Sequence, residues 1–139
     1  MTFRADIGAG LSGVFDLRWT AEALFNLCDN AVKYAPEGSE LTVTARDFVT
    51  SVRIDVADRG PGIPDAEKNK IWKRFYRGGN VGGAPGVGIG LTLVRAIVTA
   101  QGGRVLCADN PGGGTVFSVF LPKTANMSRM KDSVTLRQE

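Results

Sequence analysis

An α+β two-layer sandwich, a mostly antiparallel mixed sheet covered on one face by about three helices, is the fold class this sequence predicts. Period-two alternation of apolar residues marks strands that arrive as hairpins, 41–46 with 52–57 and 104–108 with 115–121. Three- and four-residue spacing marks helices at about 20–34, 65–75 and 91–100. Strands and helices do not alternate strictly, which excludes a doubly wound parallel sheet. At 139 residues, 43% hydrophobic and 22% charged, the chain holds one ordinary core and is not a disordered polymer.

In chain order, Thr2–Ile7 and Val14–Leu17 read as short strand-like pieces separated by Gly8, Gly10 and Gly13. Ala21, Leu24, Phe25, Cys28, Ala31 and Val32 then recur at helical steps. Thr20 is placed as the N-cap with Glu22 in the first turn, and Pro36 with Gly38 ends the helix. Residues 48–51 join the first hairpin. After the loop 58–64, Ile71 and Phe75, four apart, predict a short helix over 65–75. A Gly-rich run, 78–90, leads into the helix 91–100, which Gly102 and Gly103 stop. Residues 110–114 turn the last hairpin. The domain is expected over 1–123, with 124–139 as a flexible C-terminal tail.

Composition removes several function classes. There is no histidine, so imidazole metal sites, His-based triads and a phosphate-accepting histidine within this chain are excluded. A net charge of +3 is too small to argue for nucleic-acid or membrane binding. No apolar run approaches the roughly 18–20 residues that span a bilayer, and residues 1–20 lack a signal-peptide pattern. Cys28 and Cys107 are far apart in apolar contexts and read as reduced core residues.

Four features can carry chemistry. Asn26, Asn30 and Lys33 lie at steps of four and three on one helix side, with Tyr34 on its flank. Amide oxygens suit Mg²⁺ and an ammonium balances phosphate, although a solvated polar face has the same pattern. Asp58-Arg59-Gly60-Pro61-Gly62 follows a strand directly. A fixed carboxylate there can accept from an exocyclic amine and so choose adenine; a surface turn would use the same residue types. Gly86-Val87-Gly88-Ile89-Gly90-Leu91 opens a helix, where backbone N–H groups and the helix dipole favour phosphate. It is neither a P-loop nor the dinucleotide fingerprint. Finally, 68–77 interleaves basic residues with Trp72, Phe75 and Tyr76. Single-stranded nucleic acid is one reading of that pattern. The preferred one makes the aromatics core contacts and sends Arg77 to phosphate or a partner domain.

In this order the motifs resemble the N, G1, F and G2 boxes of bacterial sensor histidine kinases. They read LFNLCDNAVKYA (24–35), DRGPGIP (58–64), KIWKRFYRGG (70–79) and GVGIGLTLVRAIVTAQGG (86–103), and GGGTVFSVFLP (112–122) resembles the closing hairpin. The resemblance covers about 14–122 and implies the Bergerat ATP-binding fold of the GHKL superfamily. The Gly-rich segment and last hairpin resemble most the potassium-responsive sensor kinases.

Position by position, the resemblance implies that Asn30 ligates Mg²⁺, Asn26 lies beside the phosphates, Lys33 meets phosphate and Tyr34 stacks near adenine. It implies that Asp58 binds the adenine amine, with Gly60, Gly62 and Ile63 shaping the pocket and Thr115 supporting it. Gly86, Gly88 and Gly90 would border the phosphates, with Leu91 and Phe75 nearby. Asn26, Lys33 and Arg77 form the implied catalytic set. Asn26 stands where the superfamily's hydrolases carry a water-activating Glu, which favours transfer over hydrolysis.

The implied activity is binding of Mg-ATP and donation of its γ-phosphate to a histidine on a separate dimerisation domain, and indirectly to a response regulator. Neither nucleic acid nor direct membrane contact is expected. The implied location is cytoplasmic, within a parent anchored in the bacterial inner membrane. The alternatives are a stand-alone serine kinase of the anti-sigma-factor type, a gyrase- or chaperone-type ATPase, and a nucleotide-binding docking module without catalysis.

Overall fold

A computed structural model describes residues 2–7 (backbone only), 16–73 and 90–123. Five strands form one sheet: β1 Thr2–Ile7, β2 Glu40–Phe48, β3 Ser51–Ala57, β4 Arg104–Asp109 and β5 Thr115–Pro122. Their spatial order is β1-β2-β3-β5-β4. Three of the four pairings are antiparallel, and β1 runs parallel to β2. Helix α1, Leu17–Tyr34, separates β1 from β2 in the chain and supplies the long connection a parallel pair needs. The second long helix, α2, spans Gly90–Ala100.

Register explains the alternation. Val43, Val56, Phe117 and Cys107 form one cross-strand row, and Ala45, Ile54, Val119 and Val105 form the next. Against them pack Ala23, Leu27 and Ala31 of α1 and Val94, Ile97 and Val98 of α2, all buried. Each large aliphatic side chain so buried contributes about 1.5–3 kcal/mol of transfer free energy. Both cysteines are free and half-buried. Burial raises the Cys28 thiol and pushes Cys107 up to about 11, so both stay protonated at neutral pH.

Three expectations are corrected. Helix α1 begins at Leu17, so that residue does not belong to a strand, while Val14 and Phe15 lie outside the described residues. Its N-cap is Asp16, whose carboxylate accepts from the Trp19 N–H at 3.1 Å. Thr20 is buried instead and hydrogen-bonds the Gln101 amide of the α2 C-terminal turn at 3.1 Å.

Over 65–75 there is no continuous α-helix among the described residues, only a 3₁₀ turn at Asp65–Glu67 and further turns through Trp72. The N–H of Glu67 reaches Pro64 O, three residues back, and the carbonyl of Ile63 accepts from the Lys68 ammonium. The N–H groups of Lys68, Lys70 and Lys73 likewise reach back three residues, to Asp65, Glu67 and Lys70, which is the tighter 3₁₀ pattern and not the four-residue ladder of an α-helix. Two α-helices and this 3₁₀ turn therefore make the helical layer among the described residues. The aromatic reading holds for Trp72, whose ring meets Phe117 edge-on at 5.9 Å, beside the buried Ile71.

Candidate functional site

Asp58 follows the last residue of β3 and is buried. Its position comes from the backbone of β5. The N–H of Asp58 donates to Thr115 O at 2.9 Å, and Oδ1 accepts from the N–H of Thr115 at 3.2 Å. The same oxygen accepts from the Gly60 N–H at 2.8 Å, closing the loop on itself. Among the described residues both bonds to this carboxylate end on Oδ1, leaving Oδ2 as the oxygen available to a ligand.

Glycine is required beside it. A Cβ at Gly114 would stand 2.0 Å from Asp58 O, and Gly114 has φ +104, a conformation that side-chain-bearing residues rarely adopt. At Gly60 a Cβ would lie 3.1 Å from Asp58 Oδ1 and 3.4 Å from the Tyr34 carbonyl. The loop after β3 therefore lies against the C-terminal end of α1. That end is fixed by Ala35, which is extended because Pro36 follows it.

At the other end of the site, α1 meets the start of α2. A Cβ at Gly90 would be 3.4 Å from Asn26 Oδ1, so the Asn26 carbonyl oxygen faces the first residue of α2. The Asn26 amide nitrogen donates to Glu22 O at 2.9 Å, which fixes which way the amide points. Asn30 stands one turn further along and is half-exposed. Lys33 pairs with Asp29 at 3.1 Å on the exposed surface of α1. A surface pair of this kind is worth about 0–1 kcal/mol, so a phosphate can outcompete it.

The described contacts thus bring Gly60 and Thr115 to Asp58, Gly60 to the Tyr34 carbonyl, Gly62 to the Gly114 carbonyl and Gly90 to Asn26, with Tyr34 and Asn26 both on α1. Asn30 and Lys33 share α1 with them, and Leu91 packs against the core just past Gly90. Phe75, Arg77, Gly86 and Gly88 lie outside the described residues.

Sequence reasoning missed four side chains that hold this region together. Asn110, read only as a turn residue, donates its amide to Asp58 O at 2.8 Å. Arg59 reaches the carbonyls of Pro111 and Gly113, which straps the loop to the β4–β5 turn. Thr92 donates its hydroxyl to Trp72 O at 2.9 Å, and Lys68 holds Ile63 O at 3.0 Å. Only the i, i+3 spacing of Asp65 and Lys68 was a signal visible in sequence.

Among the described residues no group of three or more His, Cys, Asp or Glu side chains could hold a metal ion by itself. The oxygen donors on offer are the amides of Asn26 and Asn30. That set fits a hard ion carrying most of its coordination as water and phosphate, and does not fit an all-protein cage.

Residues 15–125 match the family described as histidine kinase-, DNA gyrase B-, and HSP90-like ATPase. The sensor protein KdpD of Escherichia coli is 41% identical over 100 residues, covering 72% of this chain and 11% of KdpD. The histidine-protein kinase/phosphatase MprB of Mycolicibacterium paratuberculosis is 41% identical over 112 residues, covering 77% of this chain and 22% of MprB. Equal identity to both leaves the potassium-responsive subfamily undistinguished. A solved mycobacterial MprB structure superposes with a TM-score of 0.78 at 27% identity, over 90% of this chain and 83% of that one. Full-length ShkA, solved in complex with AMPPNP, gives 0.76 at 28% identity over 91% of this chain and 26% of ShkA. The chain thus spans under a quarter of the curated relatives KdpD and MprB. Its order of motifs, its sheet and these relatives agree: the chain belongs to the histidine kinase-, DNA gyrase B- and HSP90-like ATPase family, as the ATP-binding catalytic domain of a sensor histidine kinase.

Proposed function

We propose that this domain binds Mg-ATP between the C-terminal half of α1, the loop after β3 and the start of α2. We infer that it then presents the γ-phosphate to a histidine on a separate dimerisation domain of its parent. The observation that carries this reading is the approach of three sequence-distant motifs, Tyr34 to Gly60 beside Asp58 and Asn26 to Gly90. In it Asp58 accepts from the adenine amine, with Gly62 and Ile63 as the adjoining wall and Tyr34 against the base. Asn26 and Gly90 border the phosphates, and Lys33 leaves Asp29 to meet them. Asn30 offers its amide oxygen to Mg²⁺, which when bound neutralises phosphate charge. Arg77, Phe75, Gly86 and Gly88 keep their roles within this proposal.

What these residues do chemically is position and neutralise, which is most of what phosphoryl transfer asks of a protein. Asn26 cannot act as a base on water, so hydrolysis is slow and transfer dominates. With no histidine in the chain, the acceptor and its own base come from elsewhere in the parent. The comparisons do not favour a stand-alone serine kinase. The sensory region and inner-membrane anchor of the parent, the cytoplasmic location and the boundary between a domain at 1–123 and a tail at 124–139 belong to the same proposal. Among the described residues no helix is long and apolar enough to cross a membrane.

Isothermal titration of the chain with ATP and GTP, with and without Mg²⁺, tests it. ATP should bind at one site, more tightly than GTP and more tightly with Mg²⁺. Equal affinity for the two purines would remove Asp58 from the proposed role.

A further inference from the structure

We propose that Lys68 is the positioning residue of the purine pocket, a cross-brace that sets the distance between the Ile63 wall and the Asp58 carboxylate. This rests on the reading of the loop after β3 as the site of the base. The Lys68 ammonium has three N–H donors and three acceptors: Ile63 O at 3.0 Å, Asp109 Oδ1 at 2.9 Å and the Asp65 carboxylate. Its side chain is 17% exposed, against 90% for Asp65 and 71% for Asp109. Lys68 is therefore the least exposed side chain of the three.

The acceptors come from three places: the pocket wall, the 3₁₀ turn and the last residue of β4. Asp109 sits opposite Thr115 in the β4–β5 register, and the Thr115 backbone brackets Asp58 through its N–H and its carbonyl. A closed circuit results, from Ile63 through Lys68 and Asp109 to Thr115 and back to Asp58. The two sides of the pocket are thereby referred to one pair of strands. The hydrogen bonds that the ammonium donates to Asp65 and Asp109 push it up to about 12, so the brace stays charged at every working pH.

The test is titration of the full chain with ATP and GTP, far below its melting temperature, for Lys68→Met, Lys68→Arg and Asp109→Asn. Lys68→Met should lose about tenfold in ATP affinity and most of the preference over GTP, with Lys68→Arg recovering most of both. Asp109→Asn, which keeps the lysine, should lose about threefold to fivefold in ATP affinity and serves as the test if Lys68→Met fails to fold. A lower melting temperature with ATP affinity and purine preference unchanged would reduce the brace to a structural contact and overturn the proposal. Asp58→Asn is measured alongside. If it weakens ATP binding while the Lys68 and Asp109 variants bind like wild type, only the brace fails. If it binds ATP like wild type, the purine-pocket reading itself fails, and the brace with it.

Discussion

The two ends of the proposed site, one assigned to the purine and one to the phosphates, are built differently. At the purine end Asp58 is buried, tied through its N–H, carbonyl and Oδ1 to Thr115, Asn110 and Gly60. At the phosphate end Asn26, Asn30 and Lys33 sit on a half-exposed helix face, and their described bonds stay within α1. A carboxylate removed from water needs its partners fixed in advance, because an unpaired buried charge costs more than the bonds it makes. Groups meeting a highly charged, hydrated ligand need no such enclosure. The proposed purine end is therefore part of the fold, and the proposed phosphate end is carried on it.

If so, substitutions at the purine end should move stability and affinity together, and those at the phosphate end should move chemistry alone. The largest effect is expected for Gly114→Ala, whose methyl would collide with Asp58 O in a backbone conformation alanine resists. Urea unfolding should show a loss of about 3 kcal/mol or more, with ATP binding lost too. Near-wild-type stability would show that the turn relaxes freely and that the purine end is not rigid.

Next comes Asp58→Asn, which keeps an amide oxygen for the Gly60 and Thr115 N–H groups but loses the charge. ATP affinity should fall by about 1–3 kcal/mol with a smaller change in unfolding free energy. Asn30→Asp should leave unfolding within about 0.5 kcal/mol of wild type while disturbing Mg²⁺-dependent phosphotransfer to a supplied histidine domain. Wild-type transfer by that variant would sever Asn30 from the metal. The smallest effect is expected for deletion of 124–139, with ATP affinity unchanged by titration; a clear loss would place part of that segment in the site.

How much of this was legible in sequence follows the range of the interaction. Alternation located β2 to β5 to within two residues at each end, because a half-buried strand writes its pattern locally. The α1 start was misplaced because Thr20 has the residue type of a cap, and only the distant Gln101 explains why it is buried. The helix expected over 65–75 fails within its described part, 65–73, because Ile71 and Phe75 have helical spacing in the sequence whereas the backbone bonds there mostly reach back three residues. Asp58 was legible as a carboxylate at a strand end. Its clamp by Thr115 depends on the β3–β5 register, and the partnership of Lys68 with Asp109 on the β4–β5 register. Parallel pairing of β1 with β2 was likewise beyond the reach of a periodicity.

The most direct measurement is a crystal structure of the chain with Mg²⁺ and a non-hydrolysable ATP analogue. The adenine amine should lie within hydrogen-bond distance of the Asp58 carboxylate, with the phosphates beside Asn26 and Gly90 and the ion on Asn30. A nucleotide bound elsewhere on the molecule, or a base turned away from Asp58, would contradict the proposed site.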